Sequence, residues 1–420
     1  MNRAEFRSLI WNKPLILDGA TGTWLQEHGL TPGCCPTTWL LENPEPLTEL
    51  QTSYYANGAD IVLAFSFGAN RFKLNSQTLA TTSVAAVNQQ VAAISLAVRD
   101  ACMASSGRNL YVAGDLAPTG EFLYPAGDLK FEELVNVYGE QVDGLLTAGV
   151  DLFIVETMID LAQTRAAVLA VRDRCDLPVI ASLTLGENGR TLSGDLPLAA
   201  LLSLQAAGAD AFGFNCSFGP DKLAEILLPL LAESNLPLLL KPNAGLPALI
   251  DGKTVFPLSA QAFAIAMRPA AVAGVRLLGG CCGSGPEHIR HLSEMVCSLS
   301  PPAFEPLPPD TRICSSRSVI DLTDLGQLTV LEVRDPTDLV DDLLTVAEDE
   351  PEGIWLDFRS LETTDYEQIL LAMAELSMSV TQPLAFSGPD DLIQRLLRQY
   401  PGRAAIYGQP ASPVLDPLVL

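Results

Sequence analysis

Basic residues are scarce in this chain, and histidine is scarcer. Against 50 Asp and Glu there are 25 Lys and Arg and three His in 420 residues, a formal net charge of −25. Nucleic acids and anionic membranes select basic faces, so neither is expected as a partner. Long apolar runs are missing: nothing approaches a membrane span, and the opening Met-Asn-Arg-Ala-Glu-Phe-Arg has no apolar leader core. Low-complexity tracts are absent as well, and 48% hydrophobic residues is a globular composition. Nine cysteines without a secretory leader read as free thiols, which makes the cytoplasm the expected location. Part of the acidity is local, since residues 331–370 carry 13 Asp and Glu against two Arg.

What is present is a repeat of short apolar segments, each followed by an amphipathic stretch. Eight occur before residue 300, at 15–19, 59–68, 110–116, 152–156, 178–184, 209–216, 237–243 and 275–280. Continuous apolar runs fit strands buried on both faces of a parallel sheet, and eight β–α units make a closed (β/α)8 TIM barrel. No glycine-rich phosphate turn follows the first segment to favour an open doubly wound sheet. Residues 1–299 are therefore expected to form the barrel. The stretch 300–312 is proline-rich, with five prolines in Ser300–Asp310, and reads as an extended linker. Residues 313–420 resume β–α alternation and are expected to form a small acidic α/β domain. Asp335-Pro336 reads there as a helix N-cap with proline in the first turn.

The strand ends carry the chemistry. In a barrel the C-terminal strand ends share one mouth, which here would gather Asp18, Ser66, Asp115, Glu156, Thr184 and Asn215, then Lys241 and Asn243. Three cysteines complete the set: Cys216 after Gly213-Phe-Asn, and Cys281 and Cys282 in Gly279-Gly-Cys-Cys-Gly283. If strands six and eight flank strand seven, three thiolates converge with a fourth position open. That arrangement suits a Zn2+ site that activates a substrate thiol. A vicinal disulfide would be strained, which disfavours a redox role for the pair. Cys34, Cys35, Cys102, Cys175, Cys297 and Cys314 read as small apolar residues. The histidines, on or beside helices, do not compete as ligands. Asp18 may be read either as a turn-closing residue before Gly19 or as a carboxylate for a substrate ammonium. Glu156 ends an apolar run, where an unpaired charge is costly. Lys241 could receive a substrate carboxylate or neutralise Glu156 or Asp115.

Leu17-Asp-Gly-Ala-Thr-Gly-Thr23, Phe67-Gly-Ala-Asn-Arg71, Gly114-Asp-Leu-Ala-Pro-Thr-Gly120, Val155-Glu-Thr157, Gly213-Phe-Asn-Cys216, Lys241-Pro-Asn-Ala-Gly245 and Gly279-Gly-Cys-Cys-Gly283 together resemble the homocysteine S-methyltransferase family in order and spacing. The resemblance spans about residues 10–297. Pro118–Pro125 and Gly252–Pro257 look most like the homocysteine-binding barrel of cobalamin-dependent methionine synthase. The resemblance implies zinc on Cys216, Cys281 and Cys282, with the homocysteine sulfur as fourth ligand. Asp18 and Glu156 stand at positions that hold the amino-acid end of homocysteine, and Gly19 and Asn215 complete the expected substrate set. Methionine is the implied product. The implied methyl donor is a methyl-corrinoid such as methylcobalamin on a separate corrinoid protein; alternatives are a sulfonium donor (S-methylmethionine or S-adenosylmethionine) and a non-catalytic thiol- or zinc-binding docking module. Ala64-Phe65 departs from the family's usual Thr-Asn. The C-terminal stretch more weakly resembles a truncated, partial pterin-binding barrel, through Trp355–Phe358 and Leu397–Arg403. Arg359 and Ser387 replace the expected pterin-contacting Asn and Asp, which implies lost folate binding. No Asp-x-His-x-x-Gly cobalamin loop is present.

Overall fold

The computed structural model describes the chain except residues 32–34, 75–80, 251–252, 301, 364–365, 408–414 and 420, and the side chains of 250, 253 and 254. Cys34 and Gly252, both named above, thus lie outside the described residues.

The eight expected strands form one parallel sheet. They are β1 (Leu15–Ile16), β2 (Ile61–Ala64), β3 (Tyr111–Leu116), β4 (Leu152–Met158), β5 (Val179–Leu183), β6 (Ala211–Cys216), β7 (Leu238–Pro242) and, after a hairpin of β8 (Ala248–Ile250) and β9 (Lys253–Val255), β10 (Leu277–Leu278). Their order is β1-β10-β7-β6-β5-β4-β3-β2. The ring closes between β1 and β2 through the parallel bridge Leu17–Ile61 and the backbone bonds Asp18 N to Ile61 O (3.0 Å) and Asp60 N to Ile16 O (2.7 Å). A helix follows each barrel strand: 45–56, 84–106, 131–148, 161–172, 197–206, 220–227, 260–273 and 286–297. The barrel expectation is met.

Local chemistry explains these elements. The helix Phe131–Ala148 buries Leu134, Tyr138, Val142 and Leu145 at three- and four-residue spacing, one stripe facing the sheet. Gly149, at φ 94°, ends it in the left-handed conformation. Asp160 starts the next helix, its side chain accepting from Gln163 N at 2.6 Å. Along β1 and β10 the side chains alternate. Leu15, Leu17 and Leu277 fill the barrel interior over Phe6 and Ile10 of the helix Arg3–Asn12, whereas Ile16 and Leu278 pack outward. Full burial of each such aliphatic contributes about 1.5–3 kcal/mol, so the base of the barrel is a rigid platform for its mouth.

Beyond the barrel, residues 302–310 contain no regular element. They lie along the barrel: Phe304 stacks on Trp11 at 3.8 Å, and Leu307 N donates to Asn235 Oδ1 at 2.8 Å. A second parallel sheet follows, of β13 (Leu328–Glu332), β14 (Gly353–Asp357), β15 (Leu384–Ser387), β16 (Ala405–Ile406) and β17 (Leu418–Val419), in sequential order. The antiparallel pair β11 (Arg312–Cys314) and β12 (Val319–Asp321) packs on one face through Ile313 and Ile320. Sequential parallel order is that of a barrel segment left open. One local reading fails here: the helix after β13 begins at Leu339, and Asp335 instead closes a turn on Thr337, accepting from its N at 2.9 Å and Oγ1 at 2.8 Å.

The two sheets are joined by buried and charged contacts. Arg165, fully buried, donates to Ser203 O at 2.9 Å and Leu397 O at 2.8 Å. Arg398 bridges Glu132 and Asp173 at 2.9 and 2.8 Å.

Candidate metal centre and substrate pocket

Strand order brings the cysteines together. β7 lies between β6 and β10, and Cys216 stands in register with Pro242. Three backbone bonds tie the strand ends: Cys281 N to Pro242 O (2.7 Å), Ala244 N to Cys282 O (2.9 Å) and Gly280 N to Asp18 O (3.0 Å). The last needs close approach. A Cβ on Gly280 would sit 2.1 Å from Ser284 Oγ, and one on Gly19 would sit 2.5 Å from Ser284 O. A side chain at Gly19 would push the β1 and β10 loops apart, and one at Gly280 would displace Ser284 within its own loop.

The three sulfurs lie within 4.8 Å of one another, with Cys216 Sγ 4.0 Å from Cys282 Sγ. Tetrahedral zinc with Zn–S bonds near 2.3 Å separates its sulfurs by ~3.8 Å, so this donor set fits the ion. It is the one such cluster of potential ligands among the described residues. Hydrogen bonds from Cys281 and Cys282 lower the Cys216 thiol to about 3, and the same bonds to Cys216 raise Cys281 and Cys282. Three sulfurs so close cannot all carry charge without a cation to offset it.

The backbone is strained to achieve this. Of the four non-glycine residues with positive φ among the described residues, three surround the site: Thr157 (60°), Cys216 (58°) and Ser217 (59°). Such conformations cost about 1–3 kcal/mol each and persist only when neighbours impose them. Asn215 is the chief neighbour. Its Oδ1 accepts from Thr157 N at 2.9 Å and Ser182 Oγ at 2.7 Å; its Nδ2 donates to Thr157 Oγ1 at 2.8 Å and reaches Cys281 Sγ at 3.9 Å. The amide is fully engaged by the protein, which makes Asn215 a support for the Cys281 sulfur. Asn243 acts likewise, accepting from Cys282 N at 3.1 Å.

Beside the sulfurs lies a buried charge cluster. Asp18, Glu156 and Lys241 are 1%, 7% and 3% exposed. Lys241 Nζ stands 3.4 Å from Glu156 Oε2 and 3.5 Å from Asp18 Oδ1, so its choice left open by the sequence falls on Glu156 and Asp18. Burial opposes the ammonium, yet these carboxylates outweigh it and hold Lys241 well above its ordinary value. Burial raises Asp18 to about 6 against the pull of Lys241 and also raises Glu156. Asp18 Oδ2 accepts from Leu63 N at 2.9 Å, whereas its Oδ1 is met by the Lys241 ammonium at 3.5 Å and by no closer donor among the described residues. Tyr54, which the sequence reading overlooked, pins the first loop by donating to Ala20 O at 2.7 Å.

Other strand-end residues are occupied structurally. Ser66 Oγ donates to Asp115 O at 2.7 Å and Thr184 Oγ1 to Met158 O at 3.0 Å. His288 accepts from Gly285 N at 3.2 Å at a helix start, on the helix expected for it. Phe65 packs with Leu25 and Leu40 in a side cluster, so the Ala64-Phe65 departure is an apolar one.

The chain is 34% identical to methionine synthase of Mycobacterium tuberculosis over 320 residues (72% of this chain, 26% of that protein) and 33% identical to that of Mycobacterium leprae over 296 (67% and 24%). It thus spans about a quarter of the length of these curated relatives. Among solved structures it resembles the homocysteine methyltransferase MmuM of Escherichia coli: the metallated form at 25% identity with TM-score 0.55, and the apo form at 26% with 0.53, each over 67% of this chain and 96% of that one. No helix among the described residues is long and apolar enough to cross a membrane. The family model described as homocysteine S-methyltransferase matches residues 15–296, which run from β1 to the helix after β10 and include all three cysteines; the chain belongs to the homocysteine S-methyltransferase family.

Proposed function

We propose that this chain methylates homocysteine to methionine at a zinc site held by Cys216, Cys281 and Cys282. The observation that carries the reading is the convergence of Cys216 with Cys282, 66 residues away in sequence, and its neighbour Cys281, beside a buried cluster with more carboxylates than ammonium groups. Zinc bound there would supply a soft Lewis acid that keeps a substrate thiol deprotonated at neutral pH. The chain's own residues do the rest. Asn215 and Asn243 fix the orientation of Cys281 and the backbone of Cys282. Asp18 and Glu156 hold the substrate ammonium, while Gly19, whose missing side chain lets the β1 loop pack on Ser284, meets the amino-acid end through its backbone. Lys241 keeps the two carboxylates ionised and apart. Orientation of the thiolate in line with the incoming methyl group is then the main rate contribution of the barrel mouth.

The proposed donor is a methyl-corrinoid such as methylcobalamin, presented at the mouth by a corrinoid protein; the likeness to methionine synthases supports this over sulfonium donors. In this displacement the sulfur lone pair forms the new S–C bond as the methyl–donor bond breaks. A donor panel with purified zinc-loaded protein tests it. Methionine should form with methylcobalamin; activity with S-methylmethionine or S-adenosylmethionine alone would overturn the donor assignment, and none with any donor would overturn the function. The second sheet, whose strand-end Asp357 and Ser387 are paired within the protein, is assigned a docking or stabilising role.

A further inference from the structure

A third carboxyl group shares the pocket. Asp115, at the C-terminal end of β3, is 2% exposed, and its Oδ1 has no hydrogen-bond donor among the described residues. Ser66 touches only the Asp115 backbone, accepting from its N at 3.1 Å. Asp115 lies two residues beyond the interior-facing Ala113 on β3 and Glu156 two beyond the interior-facing Ile154 on the neighbouring β4, so both carboxyl groups stand on the interior side, where Glu156, Lys241, Asp18 and Lys73 act on Asp115. Lys73 sits 4.9 Å from the Phe67 ring centre. Lys241 is already shared by Asp18 and Glu156.

The pocket therefore holds three buried carboxyl groups around one engaged ammonium, with one acceptor, Asp115 Oδ1, left without a donor among the described residues. An orphaned buried acceptor is costly, and a pocket that keeps one lacks a donor that must come from outside. A primary ammonium brings one positive charge and three N–H donors. Resting on the function proposed above, we infer that Asp115 is a further specificity-determining residue, which with Asp18 and Glu156 reads the ammonium of the substrate and selects amine-bearing thiols. Burial, then Glu156, hold the empty Asp115 carboxyl well above the ordinary range, as expected where the compensating cation is the ligand.

The test compares calorimetric binding of homocysteine and of 4-sulfanylbutanoate, the same thiol acid without the amine, to zinc-loaded full-length protein. The wild type should prefer homocysteine, and Asp115→Asn should cut that preference about 10-fold or more with zinc content unchanged. Asp115→Glu, which keeps the carboxyl group, should retain more of it. The ratio of the two affinities is insensitive to any unfolded fraction, which lowers both signals alike. An undiminished preference in Asp115→Asn overturns the inference while leaving the function intact. A wild type that binds neither thiol overturns both.

Discussion

The chain contains two sets of parallel strands whose C-terminal ends are dressed with polar side chains, and they differ in one respect. At the barrel mouth, Asp115 Oδ1 lacks a donor and three sulfurs crowd together. At the ends of β14 and β15 every partner is found within the protein. Arg359 donates to both Asp357 oxygens at 2.8 and 2.6 Å, Ser387 Oγ donates to Asp357 Oδ1 at 2.8 Å, and Trp355 Nε1 donates to Ser387 Oγ at 2.9 Å. The Arg359 guanidinium also lies 5.9 Å from the Trp355 ring and 5.7 Å from that of Tyr407. Arg359 holds the Asp357 carboxyl down at about 2, whereas burial holds Asp18 up at about 6. One set of strand ends is incomplete without a ligand; the other is closed on itself. Polar residues at strand ends thus mark a site only when the protein leaves them unpaired.

Substitutions can break this contrast. The largest effect belongs to Cys281→Ser, which should remove bound zinc and lower methyl transfer by more than about 100-fold, beyond what loss of a supporting hydrogen bond costs. Zinc analysis and a methionine assay check it. Lys241→Met comes next: it strands Asp18 and Glu156 as uncompensated buried charges, and denaturant titration at neutral pH should show a loss of about 3–5 kcal/mol.

How far these sites were legible in the sequence follows from what each depends on. The barrel strands and the three cysteines could be read directly, because continuous apolar runs fix the sheet and glycines beside Cys281 and Cys282 announce close backbone approach. The sharing of Lys241 between Asp18 and Glu156 could not, since it depends on β7 facing β1 and β4 across the barrel interior. Nor could the occupation of the Asn215 amide by Thr157, Ser182 and Cys281, because no sequence signal foretells left-handed backbone at a threonine or a cysteine. Asp335-Pro336 misled for the opposite reason. The dipeptide is a sound local helix start, yet Thr337 satisfies the Asp335 carboxylate in a turn and the helix waits until Leu339.

Two smaller perturbations sharpen the comparison. Asn215→Ala removes the amide beside Cys281 without removing a ligand, so zinc affinity measured by chelator competition should weaken about 10- to 100-fold. Arg359→Ala, at the closed strand ends, should leave methyl transfer unchanged and cost less than about 1 kcal/mol in denaturant titration, because the guanidinium is largely solvated. A marked loss of methyl transfer in that variant would place the second sheet in the reaction.

The most direct measurement is zinc-edge X-ray absorption on the purified protein, before and after homocysteine is added. The account predicts a shell of three sulfurs that gains a fourth with the substrate. Absence of zinc, or a nitrogen- and oxygen-rich shell that homocysteine leaves unaltered, would contradict it.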